Sequence, residues 1–180
     1  LIIKNGQCYI DGELQEADVA IQDGKIYKIG QISEEAKETI NAEGQTVLPG
    51  CIDTQTHFRE PGSTDTEDLH SGSRAAIAGG ITSVFEMPNT NPPTSTKVEF
   101  QKKLDLAKNR MYCNYAFYFG ATADNANELA DLVNLEGCCG IKLFAGSSTG
   151  NLLVAEEEDI EKVFQSSSKV VAVHSDDEAI

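Results

Sequence analysis

Two histidines, a lysine and an asparagine follow apolar segments of this chain, at points where strands would end. They are His57, Asn89, Lys142 and His174. Gln55 stands two residues before His57, and Arg59 two residues after it. On an extended backbone all three side chains therefore point to one side. Neutral imidazole is a suitable zinc ligand, and the planar guanidinium of arginine suits bidentate recognition of a carboxylate. These residue types allow metal binding and anion recognition, provided that the fold brings them together.

From about Gln45 onwards the chain alternates between apolar segments, which predict strands, and amphipathic segments, which predict helices. The predicted strands cover residues 47–53, 81–87, 112–119, 140–144 and 169–173. Capping boxes at residues 64–67 and 96–99 predict where the first two helices begin. The apolar face of the second helix is expected to contain Phe100, Leu104, Ala107 and Met111. Later helical stripes contain Ala126, Leu129, Leu132 and Val133, and then Ile160, Val163 and Phe164.

This alternation is typical of an α/β protein with a parallel sheet, either doubly wound or closed into a (β/α)₈ barrel. The polar residues at the strand ends favour the barrel, because there the carboxyl ends of all strands converge on one mouth. About five β/α units are recognisable, whereas closure needs eight. We therefore expect residues 49–180 to form an incomplete barrel.

Residues 1–48 have a different pattern, with short predicted strands separated by turn dipeptides. Asn5-Gly6, Asp11-Gly12 and Asp23-Gly24 supply the positive φ angles that tight hairpins require. We expect a small separate β domain over residues 1–48.

The charge of the chain limits its partners. Against 14 Lys and Arg residues stand 29 Asp and Glu residues, which gives a formal net charge of −15. Such a charge repels phosphate backbones and anionic lipids, so neither nucleic acid nor a membrane surface is an expected partner. No apolar run of about 18 residues predicts a transmembrane helix. A small anionic substrate remains compatible, because a pocket can be locally basic.

The cysteines indicate a reducing environment. There are five of them: Cys8, Cys51, Cys113, Cys138 and Cys139. An odd number without a C-x-x-C pair argues against a disulfide framework and favours the cytoplasm. We expect each cysteine to be buried as a small apolar residue.

Five sequence blocks follow one another from the end of the small domain to the end of the chain. They are Leu48–Gly62 (containing His-x-Arg-Glu-Pro-Gly), Glu67–Thr82, Met87–Pro93, Gly140–Phe144 and Val173–Glu178. In order and spacing these blocks resemble the dihydroorotase family of the amidohydrolase superfamily. The resemblance implies an N-terminal β-sandwich followed by a metal-dependent (β/α)₈ TIM barrel.

The resemblance also implies roles for the residues singled out above. It makes Lys142 a carbamylated lysine that bridges two metal ions, His174 a ligand of the second ion and His57 a ligand of the first. It assigns Arg59 and Asn89 to the carboxylate of dihydroorotate. The implied cofactor is Zn²⁺, one or two ions per subunit.

The chain departs from the family pattern at Gln55, where the family has a second strand-1 histidine. An amide oxygen is a weaker ligand than imidazole, so we expect the first metal position to lose affinity. The family's general-base aspartate would lie beyond Ile180, so we assign no catalytic proton-transfer residue within the chain. His70 is at a position that the family does not use, and we expect it at the surface.

The implied function is dihydroorotase activity, the metal-assisted interconversion of dihydroorotate and carbamoyl-aspartate in pyrimidine biosynthesis. A homo-oligomer is expected. Two alternatives remain open. One alternative is a non-catalytic subunit of the same fold, favoured by Gln55 and serving as a structural partner, for example of aspartate transcarbamoylase. The other is a hydantoinase or allantoinase relative, which Arg59 disfavours.

Each candidate residue also has a purely structural alternative. Lys142 would be a solvated surface lysine, and His174 a hydrogen-bonded core histidine. Arg59 would pair with Glu60 or Glu67, and Asn89 would bond its own backbone in a turn. Residues 146–150 are expected to form a flexible loop over the barrel mouth rather than a phosphate loop, and residues 156–159 an acidic first helical turn.

Overall fold

The computed structural model describes residues 1–147 and 151–176. The chain divides into two compact units, Leu1–Pro49 and Gly50–Ile180. Within the described residues, no helix has the length and apolar character needed to cross a bilayer.

The first unit is one mixed sheet of five strands. Its strands are β1 (Ile2–Ile10), β2 (Glu13–Gln22), β3 (Lys25–Gly30), β4 (Thr39–Asn41) and β5 (Thr46–Val47). Strand β1 pairs antiparallel with β2 on one side and parallel with β4 and β5 on the other. Asp11-Gly12 and Asp23-Gly24 join β1 to β2 and β2 to β3, with φ angles of 51°, 91°, 52° and 73°. These two hairpin turns agree with the sequence prediction.

The turn predicted at Asn5-Gly6 is wrong. Both residues lie inside β1, where the register with β2 is interrupted between Ile3 and Gly6. Asn5 has a φ of 63°, and its backbone N–H donates to Oδ1 of Asp18 at 3.0 Å. The positive φ angle is used for a β-bulge instead of a chain reversal.

The second unit contains five parallel strands that neighbour one another in chain order. These strands are β6 (Cys51–Thr56), β7 (Ile81–Glu86), β8 (Asn114–Gly120), β9 (Cys138–Phe144) and β10 (Val171–His174). The connections contain α1 (Leu69–Ala78), α2 (Lys97–Ala107), a 3₁₀ helix (Ala126–Asn134) and α3 (Glu157–Ser166). This arrangement is a partial TIM barrel, as the alternating pattern and strand-end residues predicted.

The helix starts were only partly predictable. Thr96 is the N-cap of helix α2, and its hydroxyl accepts from the backbone N–H of Glu99 at 3.1 Å, as expected. Helix α1 begins four residues later than predicted, because Asp68 is its N-cap and accepts from the N–H of Ser71 at 2.6 Å. The start expected at residues 64–67 is therefore wrong. Residues 157–159 form the acidic first turn of α3, as predicted.

An apolar core packs the sheet against the helices of this unit. Phe100 of α2 is fully buried and lies on Phe117 and Phe119 of β8, with ring centroids 6.4 and 6.1 Å away. Leu129 and Leu132 of the 3₁₀ helix are also fully buried. The outer positions of the two predicted stripes are exposed, since Val133 retains 52% and Phe164 50% of its accessible surface.

The five cysteines carry free thiols. Cys8, Cys113 and Cys138 are buried as expected, and Cys139 is partly buried. Cys51 is exposed, so the prediction of burial is wrong there. It opens β6, whose first two residues are both exposed.

Candidate active site

A cavity of about 350 Å³ lies at the carboxyl ends of the parallel strands. It is lined by Gln55, His57, Arg59, Asn89, Lys142, Phe144, Ser147 and His174. All six residues that sequence analysis assigned to metal or substrate are among them. Residues from the ends of β6, β7, β9 and β10 meet here because parallel strands present their carboxyl ends on one side of the sheet.

His57 is held by Asn89. Nδ1 of His57 lies 2.9 Å from Oδ1 of Asn89, and an amide oxygen can only accept, so the ring nitrogen donates. In the neutral ring, Nε2 then keeps its lone pair. Burial, together with the charges of Arg59 and Lys142, lowers the pKa of His57 and favours that neutral form. The alternative of Asn89 as a turn residue bonding its own backbone does not hold.

Lys142 is a buried lysine on β9 with only 3% of its surface exposed, so the surface alternative is wrong. Its Nζ lies 5.0 Å from the ring centroid of Phe144. Burial lowers its pKa. A lower pKa increases the fraction of neutral amine, which is the form that can react with CO₂.

His174 ends β10 and is not a core histidine, because its side chain is 43% exposed. Its Nε2 lies 3.1 Å from Oδ2 of Asp176. A carboxylate accepts, so Nε2 donates and Nδ1 keeps the lone pair in the neutral ring. A hydrogen bond from the ring nitrogen that does not bind the metal commonly orients a metal-binding histidine.

Gln55 is exposed near the end of β6. Its backbone N–H donates to Oδ1 of Asp53 at 2.9 Å. Its amide shares the cavity with His57, so it stands where its oxygen can contribute, although more weakly than an imidazole.

Arg59 reaches the cavity by a different backbone path from the one expected. Strand β6 ends at Thr56, and Arg59 has a φ of 62°, so simple extended alternation does not extend to it. Among the described residues it forms no ion pair, and Glu60 pairs instead with Arg110. Arg59 and Asn89 also line a second cleft, of about 430 Å³, beside the first.

A buried ion pair behind the site was missed by sequence analysis. Lys103 of α2 and Glu86 of β7 are 0% and 1% exposed, and their side chains form an ion pair. Lys103 also donates to the carbonyl of Met87 at 3.0 Å, two residues before Asn89. Desolvation raises the pKa of Glu86 to about 7 and lowers that of Lys103. One signal of this pair is present in the sequence, because Lys103 directly precedes Leu104 of the predicted apolar face of α2.

The donors at the cavity suit a metal ion in type but not in number. Across the described part of the chain, no group of three or more His, Cys, Asp or Glu side chains has a metal-binding arrangement. Two imidazoles, a buried amine and an amide oxygen do line the same cavity. If Lys142 were a carbamate, the expected second position would have Lys142 and His174 as ligands, whereas the expected first position would combine His57 with the weaker amide of Gln55.

Two other expectations concern the mouth and the surface. Ser147 lines the cavity, while residues 148–150 of the expected loop and residues 177–178 of the last block lie outside the described residues. His70 is exposed as expected, and its Nε2 lies 3.3 Å from the hydroxyl of Tyr112.

Comparison with known proteins gives a consistent result. The model of the amidohydrolase family matches residues 46–175. A dihydroorotase from Methanosarcina mazei is 38% identical over 98% of this chain and 39% of its own length. An allantoinase from Salmonella choleraesuis is 40% identical over 82% of this chain and 32% of its own length.

Solved structures agree on the fold. The L-hydantoinase (dihydropyrimidinase) from Arthrobacter aurescens superposes with a TM-score of 0.91 at 30% identity, over 99% of this chain and 41% of that one. A D-hydantoinase superposes with a TM-score of 0.80 at 31% identity, over 96% of this chain and 39% of that one. The chain thus spans about two fifths of the length of these proteins.

Proposed function

This chain belongs to the amidohydrolase family, and on that premise we propose that its protein is a dihydroorotase, which hydrolyses the cyclic amide of dihydroorotate to carbamoyl-aspartate. The observation that carries the proposal is the shared cavity. There a buried lysine and two histidines stand beside an arginine that is free of ion pairs among the described residues. The lysine and the two histidines suit the metal-assisted hydrolysis of an amide, and the arginine suits a substrate that carries a carboxylate.

Arg59 and Asn89 form the proposed carboxylate clamp. The guanidinium presents two parallel N–H donors to a carboxylate. Asn89 uses Oδ1 for His57, which leaves its Nδ2 hydrogens as donors. One asparagine would then orient the imidazole and bind the substrate.

The proposed metal is Zn²⁺, held by His57, carbamylated Lys142 and His174, with Gln55 as a weak ligand. A bound zinc ion would polarise the amide carbonyl and acidify water. The protein's own part is to keep the lone pairs of Nε2 of His57 and Nδ1 of His174 available, and to bury the Lys142 amine so that its pKa is lowered and its neutral, CO₂-reactive form is favoured.

Two further candidates have specific support. Similarity to an allantoinase and to hydantoinases favours another cyclic-amide substrate, which would not need the Arg59 clamp. Gln55 favours a non-catalytic subunit that serves a homo-oligomer or an assembly with aspartate transcarbamoylase. Five free thiols support a reducing, cytoplasmic location for the protein.

The decisive experiment compares substrates in the complete natural polypeptide. We expect ring opening of dihydroorotate to exceed that of allantoin and hydantoin. Arg59→Ala should raise KM for dihydroorotate about tenfold or more, the equivalent of roughly 1.5–3 kcal/mol for a charge-assisted contact. Arg74→Ala is the matched control, because Arg74 is exposed on α1 and lies outside the cavity.

If hydantoin or allantoin is turned over faster than dihydroorotate, and Arg59→Ala does not change the KM, then that compound and not dihydroorotate is the substrate. Absence of turnover of all three compounds by metal-loaded protein would favour the non-catalytic subunit.

A further inference from the structure

Glu60 is a buried carboxylate directly after Arg59, with only 7% of its surface exposed. Its Oε1 accepts from Nη1 of Arg110 at 2.8 Å, and its Oε2 accepts from Nη2 of Arg110 at 3.1 Å. Oε2 also accepts from the backbone N–H of Leu69 at 2.9 Å. Glu60 is therefore joined by a bidentate pair to one segment and by a backbone bond to another.

Arg110 approaches from outside the cavity. It follows the end of α2, and its Nη1 also donates to the carbonyl of Leu106 at 3.1 Å. Its Nη2 lies 3.8 Å from Oδ2 of Asp68, the N-cap of α1. The end of α2 and the start of α1 thus hold the carboxylate of Glu60 from two sides.

The loop that these contacts hold has an unfavourable conformation. Arg59 has a φ of 62°, in the left-handed region that residues with a Cβ seldom adopt. The loop is closed by bonds from the N–H of Ser63 to the carbonyl of Arg59 at 3.0 Å and from the N–H of Asn91 to the carbonyl of Pro61 at 2.9 Å. Such a conformation persists only where its surroundings hold it.

We propose that Glu60 and Arg110 are positioning residues, which hold the backbone at Arg59 so that its guanidinium faces the substrate cavity. The inference rests on the proposed carboxylate clamp, because it is the clamp whose affinity the network would set. Arg110 would then influence substrate binding without touching the substrate. A displacement of about 1 Å at a binding group is enough to lower activity by up to about a hundredfold.

A purely structural role makes a different prediction. The side chain of Arg110 is 35% exposed, and ion pairs that water can reach usually contribute little net stability, so stability alone does not explain why charges occupy this position. If the network served only the fold, its removal would act equally with and without the Arg59 side chain. If it positions Arg59, its effect on substrate affinity disappears once that side chain is gone.

The test is a double-mutant cycle in the complete, metal-loaded protein, with dihydroorotate as substrate. The variants are Arg110→Gln, Arg59→Ala and their combination, with Arg110→Lys and Glu60→Gln as milder changes. Lys102→Gln is the matched control, since it removes an exposed ion pair that Lys102 forms with Glu99 within α2. Each variant is also followed by thermal unfolding.

We expect Arg110→Gln to raise KM about ten- to a hundredfold with a smaller change in kcat. In the Arg59→Ala background, the same substitution should change KM less than about twofold. Arg110→Lys should give an intermediate effect, because a lysine keeps the charge but not the bidentate geometry. An equal effect of Arg110→Gln on KM with and without the Arg59 side chain would overturn the proposal.

The experiment also distinguishes a failure of the proposed function from a failure of the positioning role. If Arg59→Ala does not change KM for dihydroorotate, the clamp is wrong, and crystal structures then test the positioning role directly. An Arg59 that leaves the left-handed region in Arg110→Gln supports that role. An Arg59 that is unmoved in this variant refutes it.

Discussion

At the scale of residues, Asn89 links the two parts of the site. Its Oδ1 holds Nδ1 of His57 at 2.9 Å, and its amide hydrogens remain for an anion. Lys142 is the other decisive residue, since its burial favours the neutral amine. Gln55 is the point at which we propose that the metal site is weakened, because an amide oxygen is a poorer ligand than an imidazole.

Gln55→His provides a prediction at this scale. In the complete protein the substitution should raise the metal content towards about two ions per subunit and increase activity, because the first position regains an imidazole. Elemental analysis after dialysis gives the metal content independently of turnover. Gln55→Asn is the matched control, since it keeps an amide and should leave the metal content unchanged. Two tightly bound ions in the unaltered protein would contradict the account of a weakened first position.

At the scale of elements, the site depends on how α2 packs on the sheet. Lys103 contacts Glu86 at the end of β7 and donates to the carbonyl of Met87, close to Asn89. Phe100, from the same helix, fills the core against Phe117 and Phe119. The helix therefore supports the segment that carries Asn89 by apolar packing and by a buried charge.

Lys103→Met tests this support. Removal of one partner leaves Glu86 buried and unpaired, which should lower the free energy of unfolding by about 3–5 kcal/mol. Glu86→Gln combined with Lys103→Met should recover much of the loss, because no unpaired charge remains. Chemical denaturation measures both variants, and a Lys103→Met variant as stable as the unaltered protein would contradict the prediction.

The pH dependence of the same variant has a defined sign. The pKa of Glu86 is already raised from 4.5 to about 7 by desolvation, and Lys103 lowers it, so loss of Lys103 raises it further. The folded state then holds a proton that the unfolded state releases. The contribution of Glu86 is therefore most favourable below about pH 4.5 and is lost as the pH rises towards 7 and above. The instability of Lys103→Met should accordingly be smaller in acid than at neutral pH.

At the scale of the whole molecule, an acidic chain contains a locally basic cavity. The net charge is −15, yet among residues 1–147 and 151–176 those that line the cavity include Arg59 and Lys142 and no carboxylate. This distribution suits a small anion and disfavours a polyanion, which would meet the acidic surface. The five-stranded sheet carries the cavity at one side and has open edges, since within the described residues β6 and β10 each pair with a single strand.

The open edges predict the behaviour of residues 1–180 produced as a separate polypeptide. Unpaired strand edges and the exposed Ile52 and Val173 should cause self-association, and the polypeptide should retain little metal with an unmodified Lys142. Size-exclusion chromatography with light scattering and intact mass measurement give both results. The complete protein is the control, and a monomer of residues 1–180 with one sharp unfolding transition would contradict the prediction.

The sequence by itself predicted those features that depend on local pattern. Alternating apolar and amphipathic segments predicted the parallel order of the strands, and with it the meeting of His57, Asn89, Lys142 and His174 at one side of the sheet. The cap at Thr96 was also predictable, because its partner is three residues away.

Tertiary structure alone decided the contacts between distant residues. Glu60 and Arg110 are 50 positions apart, and His57 and Asn89 are 32 apart. Such pairs form only when helices and strands pack in a particular register, which periodicity does not contain. The same holds for Lys103, whose place in the core depends on Glu86 lying opposite it. A charged residue is buried where a partner compensates its desolvation, and that partner is known only after the chain has folded.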